Sequence, residues 1–130
     1  MATPNAPRPK STGGLMHAIR ACRYSYDGLV ATFRNEPAFR QLLAMGVVLV
    51  PVALLLPLSG VERALLIGSV LLSLIIELFN SAIEAVVDRI SLETHPLSKR
   101  AKDQGSAAQT LGLVNIVVVW TLVLAHRFWL

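Results

Sequence analysis

One hundred and thirty residues, 54% hydrophobic and only 15% charged, are too apolar for an ordinary soluble domain and too few for two domains. The single Cys22 excludes an internal disulfide framework or a Cys-rich metal centre, and His17, His95 and His126 lie too far apart for ligand spacing. A net charge of +4 would admit nucleic acid as a partner, but the basic residues flank apolar segments without interleaved aromatics, so membrane is the better class.

Residues 1–13 are polar and carry Pro4, Pro7 and Pro9, which predicts a disordered tail. No apolar core with a cleavage site follows, so the stretch does not read as a secretory leader. Residues 15–34 then read as an amphipathic helix. Leu15, Ile19, Cys22, Tyr26, Leu29, Val30 and Phe33 make its apolar side, and Arg20, Arg23, Asp27 and Arg34 its polar side. Such a helix suits the membrane surface, its arginines near anionic head groups. Asn35-Glu36-Pro37 ends it, because a proline disfavours helix in the residue before it and starts a new helix well.

Three uncharged runs follow: Gln41 to Val61, Ala64 to Ile76 and Gln104 to Ala125. They predict membrane spans over about 38–58, 63–88 and 104–127, each long enough for roughly 30 Å of hydrocarbon. Pro51 and Pro57 are expected to kink or end the first span, and Trp120 and Trp129 to mark the far interface of the third. Arg89 to Asp103 reads as a polar connection broken at His95-Pro96. Of twelve Lys and Arg, only Arg63 and Arg127 fall on one side of the spans, which puts the N-terminus on the cytoplasmic side. The expected fold is therefore all-α, with three transmembrane helices and an N-terminal surface helix in one domain over 14–130. Three helices shield a charged stripe poorly, so a homo-oligomer is expected.

The second span carries that stripe. At about 100° per residue, Glu77, Asn80, Ser81, Glu84 and Asp88 share one side of the helix, with Ser73 one turn earlier. Leu78, Phe79, Ile83, Val86 and Val87 take the rest of the circumference. An acidic residue at mid-helix opposes insertion by about 2–3 kcal/mol, so these carboxylates must face protein, water or cations. Asn80 and Ser81 alone would read as polar glue between helices. Two glutamates and an aspartate on the same face read as a site, since uncharged residues suffice for glue.

Glu36, Glu84, Asp88 and Asp103, with Arg100 and Lys102, fall at the cytoplasmic edge, and Glu77 lies deeper than Asp88 by about 16 Å of helix rise. Carboxylates beside a cation suit Mg²⁺ and phosphate, and a deeper carboxylate suits proton removal from a lipid hydroxyl. Taken one at a time, Glu36, Arg100 and Asp103 are better read as solvated helix-end charges. No phosphate-binding glycine loop of the familiar kinds is present.

The run Glu77-Leu-Phe-Asn80-Ser81-Ala-Ile-Glu84-Ala-Val-Val-Asp88-Arg89, then His95-Pro-Leu-Ser and Arg100-Ala-Lys102-Asp103, closely resembles the prokaryotic diacylglycerol kinase family. The resemblance extends from Gly14 to the C-terminus, through Tyr24-Ser25, Gly28-Leu29, Asn35-Glu36 and Ala38-Phe39-Arg40-Gln41. Gly105-Ser106-Ala107-Ala108 is closer to the diacylglycerol kinases than to the undecaprenol kinases of that family. It implies a trimeric, multi-pass lipid kinase of the inner membrane that transfers the γ-phosphate of Mg-ATP to diacylglycerol.

Carried over by position, Glu77 looks like the general base, with Asn80, Lys102 and Asp103 as catalytic support, and Glu36 and Glu84 match the metal-binding pair. Tyr24, Glu36, Glu84, Glu93, Thr94, His95, Lys102 and Asp103 correspond to nucleotide contacts. Ala21, Cys22, Arg23, Tyr24, Ser25 and Tyr26, with Glu77 and Ser106, correspond to the lipid-binding region. Two positions depart from the pattern: His17 where arginine is common, and Leu42 where a second glutamate is often found. The competing readings are an undecaprenol kinase and, in another class, a small proton-coupled transporter built around an intramembrane glutamate.

Overall fold

A computed structural model describes Pro7 and residues 13–130; the tail expected over 1–13 lies almost entirely outside the described residues. The order is α1 (Leu15–Asn35), α2 (Pro37–Leu55), α3 (Gly60–Ile90) and α4 (Pro96–Phe128), with no strand among the described residues. The chain divides into two compact units, Met1–Ala31 and Thr32–Leu130. Helix α1, most of which belongs to the first unit, has no buried residue, and Leu15, Ile19, Tyr26 and Leu29 are exposed along the apolar face that its sequence periodicity places there.

In the second unit α3 is the central element, packed on both α2 and α4. Local chemistry fixes where each helix begins. Pro37 stands at the start of α2 with Glu36 at the cap, and the Glu36 side chain makes no capping hydrogen bond. Helix α3 starts with a capping box: Ser59 Oγ accepts from Glu62 N at 3.2 Å, while Ser59 N donates to Glu62 Oε2 at 2.6 Å. At α4, Pro96 holds the first position and His95 Nδ1 accepts from Leu97 N at 3.1 Å.

Helices α2, α3 and α4 are each long and apolar enough to cross a membrane, so this is a multi-pass membrane protein. Three details differ from the sequence reading. First, α2 ends at Leu55 rather than at the expected Leu58, although Pro57 does end it as expected, because Leu56 before it takes an extended conformation; Pro51 stays in the helix interior. Second, the connection before the third span shrinks to Ser91–His95. Pro96 starts α4 early, so Lys99, Arg100, Lys102 and Asp103 lie on helix rather than loop. Third, Trp120 turns inward: it is half-buried and its indole N–H donates to Ser69 Oγ at 3.2 Å, whereas Trp129 stays exposed.

The apolar core gathers near the α2–α3 turn. Ala53, Leu58 and Leu66 are buried there, with Val119, Trp120, Val123 and Leu124 packed against them. Arg63 and Arg127 tie down the turn itself, donating to the carbonyls of Leu56 and Pro57, each at 3.0 Å. Elsewhere large apolar side chains such as Val47, Leu111, Val117 and Leu122 face outward, as a lipid environment requires.

Candidate functional site

The polar stripe of α3 runs from the protein interior to its surface. Ser73 and Glu77 are 1% and 3% exposed, Asn80, Ser81 and Glu84 are half-buried, and Asp88 is exposed. Phe79 and Val86, on the opposite side of the helix, are exposed. The 3.6-residue period thus turns the costly groups toward protein and leaves the apolar ones for lipid.

Helix α4 supplies the facing surface through residues of small size. A Cβ added to the buried Gly105 would overlap the Asn80 side-chain oxygen, so a larger residue there would displace the Asn80 amide from its place in the seam. One turn further, Gln109 Nε2 donates to Glu77 Oε2 at 2.9 Å and to the Ser73 carbonyl at 3.3 Å. Ser73 Oγ returns a hydrogen bond to Gln109 Oε1 at 3.2 Å. Gln109 was not singled out from the sequence, where it is one amide in an uncharged span. A signal was nevertheless present: Gly105, Gln109, Gly112, Ile116 and Trp120 recur at spacings of three and four, defining a single face.

Around Glu77 the acids converge. Glu36, at the start of α2, and Glu84, two turns along α3, both lie near enough for their charges to bear on it. Among the described residues, the buried side-chain oxygens of Asn80 and Ser81 have no hydrogen-bond partner. An orphaned buried acceptor costs about 1–3 kcal/mol, and such groups concentrate where a site needs them.

Where α3 and α4 meet the Ser91–His95 connection, a cleft of about 360 Å³ opens. Asp88, Glu93, Thr94, His95, Lys102 and Asp103 all line it. Lys102 Nζ pairs with Asp88 Oδ1 at 2.7 Å, linking the end of α3 to the start of α4, and Glu84 bears electrostatically on the same lysine. Asp103 pairs instead with Lys99, one turn back on α4, at 2.5 Å. Lys99 also lines the cleft and was not among the sequence-predicted site residues.

The structure therefore brings together most of the candidates in the second unit: Glu36, Glu77, Asn80 and Glu84 around the buried stripe, and the remaining nucleotide-contact candidates of this unit around the cleft. Ser106 is exposed on α4, its carbonyl accepting from Thr110 Oγ1 at 3.1 Å. Ala21, Cys22, Arg23, Ser25 and Tyr26 are exposed on α1, with Tyr24 half-buried. Leu42, at the position where a second acid was looked for, is 7% exposed and fills the core.

Fold and site together define a helical membrane protein with carboxylates kept inside its helix seam beside a polar cleft. The family model for prokaryotic diacylglycerol kinase matches residues 23–124, and the chain belongs to that family. A diacylglycerol kinase of Pseudomonas aeruginosa is 57% identical over 92% of this chain and 98% of its own length. The diacylglycerol kinase of Haemophilus influenzae is 47% identical over 84% of this chain and 92% of its own. That of Escherichia coli is 46% identical over 91% and 97%.

Proposed function

We propose that this chain is an ATP-dependent diacylglycerol kinase working at the cytoplasmic face of the inner membrane. The primary hydroxyl oxygen of diacylglycerol attacks the γ-phosphorus of ATP. The bond from that phosphorus to the β,γ-bridging oxygen breaks, ADP leaves, and the hydroxyl proton passes to the Glu77 carboxylate. The products are phosphatidic acid and ADP. The observation that carries this reading is the placement of Glu77 in a chain of this family: a carboxylate 3% exposed in a membrane helix, at the inner end of an acidic stripe. A group retained there at such cost suits proton transfer at the depth of a lipid hydroxyl.

The nucleotide reads into the cleft between Asp88 and Lys102, with Glu93, Thr94, His95 and Asp103 around it. Lys102 balances phosphate charge, and Asn80 supports the reacting groups with its otherwise unpaired amide oxygen. On the family resemblance alone, Tyr24 is assigned to nucleotide contact, and Ala21 to Tyr26 and Ser106 to lipid contact. No group of three or more His, Cys, Asp or Glu gathers into a metal cage among the described residues. Two hard carboxylates, Glu36 and Glu84, instead fit a Mg²⁺ ion that arrives with the nucleotide's own phosphate oxygens as ligands. The Glu36 carboxylate is not committed to capping α2. When bound, the ion would neutralise charge on the phosphates during transfer.

The site acids Glu36, Glu84, Asp88 and Asp103 share the end of the spans that carries Arg40, Arg89, Lys99, Arg100 and Lys102, opposite Arg63 and Arg127, which supports a cytoplasmic site and N-terminus. The half-buried Asn80, Ser81 and Glu84, which three helices do not fully cover, support an oligomer, and the family resemblance makes it a homotrimer. A proton-coupled transporter fits less well, because the seam beyond Ser69 closes in the apolar cluster around Leu66. The deciding experiment follows labelled γ-phosphate transfer by purified protein offered short-chain diacylglycerol and a polyprenol side by side. Rapid labelling of the diacylglycerol is expected. Preference for the polyprenol would overturn the substrate assignment, and labelling of neither would overturn the kinase reading.

A further inference from the structure

We propose that Gln109 is the positioning residue of the Glu77 carboxylate, fixing one of its oxygens so that the other is presented to the lipid hydroxyl. This deepens the kinase reading and rests on Glu77 as the base. The geometry is a chain of three side chains, Ser73 to Gln109 to Glu77. Gln109 Nε2 donates to Glu77 Oε2 at 2.9 Å, and Ser73, one turn before Glu77 on α3, donates its hydroxyl to Gln109 Oε1 at 3.2 Å. Gln109 Nε2 also reaches the Ser73 backbone carbonyl at 3.3 Å.

These three bonds leave the amide one orientation. Turned over, Gln109 would set its oxygen against the Glu77 oxygen, acceptor facing acceptor, and its NH₂ would lose the Ser73 carbonyl. Space is fixed as well as polarity. A Cβ at Gly112 would lie 3.0 Å from Gln109 Oε1 and 3.1 Å from Ile76 Cδ1, so the side chain lies against its own helix. Ser73, only 1% exposed, has no freedom to look elsewhere.

A neutral amide is the right donor for this task. A lysine or arginine at the same place would pair with the carboxylate and oppose proton uptake more strongly than a neutral amide, whose hydrogen bond orients the group without adding charge. A base held in one rotamer keeps the reacting atoms aligned, and misplacement of about 1 Å can cost up to about 100-fold in rate.

The test uses the full-length protein in detergent, assayed with Mg-ATP and short-chain diacylglycerol. Gln109→Leu keeps side-chain bulk and removes the donor. It is expected to lower kcat by about 10- to 100-fold while leaving KM for ATP unchanged. Ser73→Ala, which releases the amide, should lower kcat less and add nothing further in the Gln109→Leu background. Wild-type kcat in Gln109→Leu, or a change confined to KM, would overturn the positioning role. Should Gln109→Leu fail to fold, Ser73→Ala decides by the same kcat criterion. Glu77→Gln is measured in parallel: full turnover there would sink the base assignment itself, while an inactive Glu77→Gln beside a fully active Gln109→Leu removes only the role of Gln109.

Discussion

The seam between α3 and α4 has two halves built on different principles. Toward the α2–α3 turn it is filled by Leu66, at 0% exposure, together with Val119, Val123 and Leu124, and its end is secured by a capping box and two arginine-to-carbonyl bonds. Toward the Ser91–His95 connection the same two helices enclose Ser73, Glu77, Asn80 and Gln109, with two buried oxygens left unpaired. In lipid, a helix seam gains little from hydrophobicity alone, so shape-matched apolar packing is what makes the first half stable. The second half gives up some of that packing and carries the polar groups that chemistry needs. The first half is thus a clamp that lets the second tolerate its acids.

The sharpest way to break this division is Glu77→Gln. Loss of a general base costs about 10²- to 10⁴-fold, so phosphoryl transfer should fall by that factor or to background while membrane insertion persists. Turnover at the wild-type rate would show that the polar half does no chemistry through this carboxylate. Next in size is Leu66→Ala in the apolar half. Removing a fully buried leucine should destabilise the bundle by about 2–5 kcal/mol, read as a lower unfolding midpoint in detergent. The protein that remains folded should keep its kcat. A fall in kcat with no loss of stability would mean that the two halves are not separable. Smaller again is Glu84→Gln, expected to raise the Mg²⁺ concentration for half-maximal rate by about tenfold. An unchanged metal titration would remove Glu84 from the ion's ligands.

How far these halves were legible in the sequence depends on whether one helix or two decide the matter. The stripe on α3 was readable, because a period of 3.6 within one helix fixes which side chains share a face: Ser73 and Glu77 are buried, and Phe79 and Val86 are exposed, as that period requires. The partner of Glu77 was not, since nothing in α3 says which α4 residue will face it. Only the recurrence of Gly105, Gln109 and Gly112 on one face marked where α4 makes its close approach. The ion pairs were hidden for a third reason. They depend on α4 beginning at Pro96, and reading Arg89–Asp103 as loop left Lys99 and Lys102 without a geometry. Ser59-Gly-Val-Glu62 held a capping box that a reading as a plain turn passes over.

The smallest expected effect belongs to Lys99, and it is measured against Lys102 in the same cleft. Lys99 and Asp103 are four residues apart on α4, with side chains 76% and 63% exposed. A pair like that stays within one helix and in water, where solvent screens it and holding two long side chains together offsets most of the gain. Lys102 and Asp88 are a little under half exposed, at 43% and 47%, and they belong to different helices and link the ends of α3 and α4 across the cleft. Lys99→Ala should therefore leave the unfolding midpoint where it is and change KM for ATP less than twofold, whereas Lys102→Ala should cut the rate strongly at every ATP concentration tested. Equal losses from the two substitutions would mean that the cleft responds only to total positive charge. Insensitivity to Lys102→Ala would remove the bridge between the helices from the site altogether. Because both lysines line the same cleft, the contrast isolates what the link to Asp88 adds: a cation whose position is set from two helices instead of one.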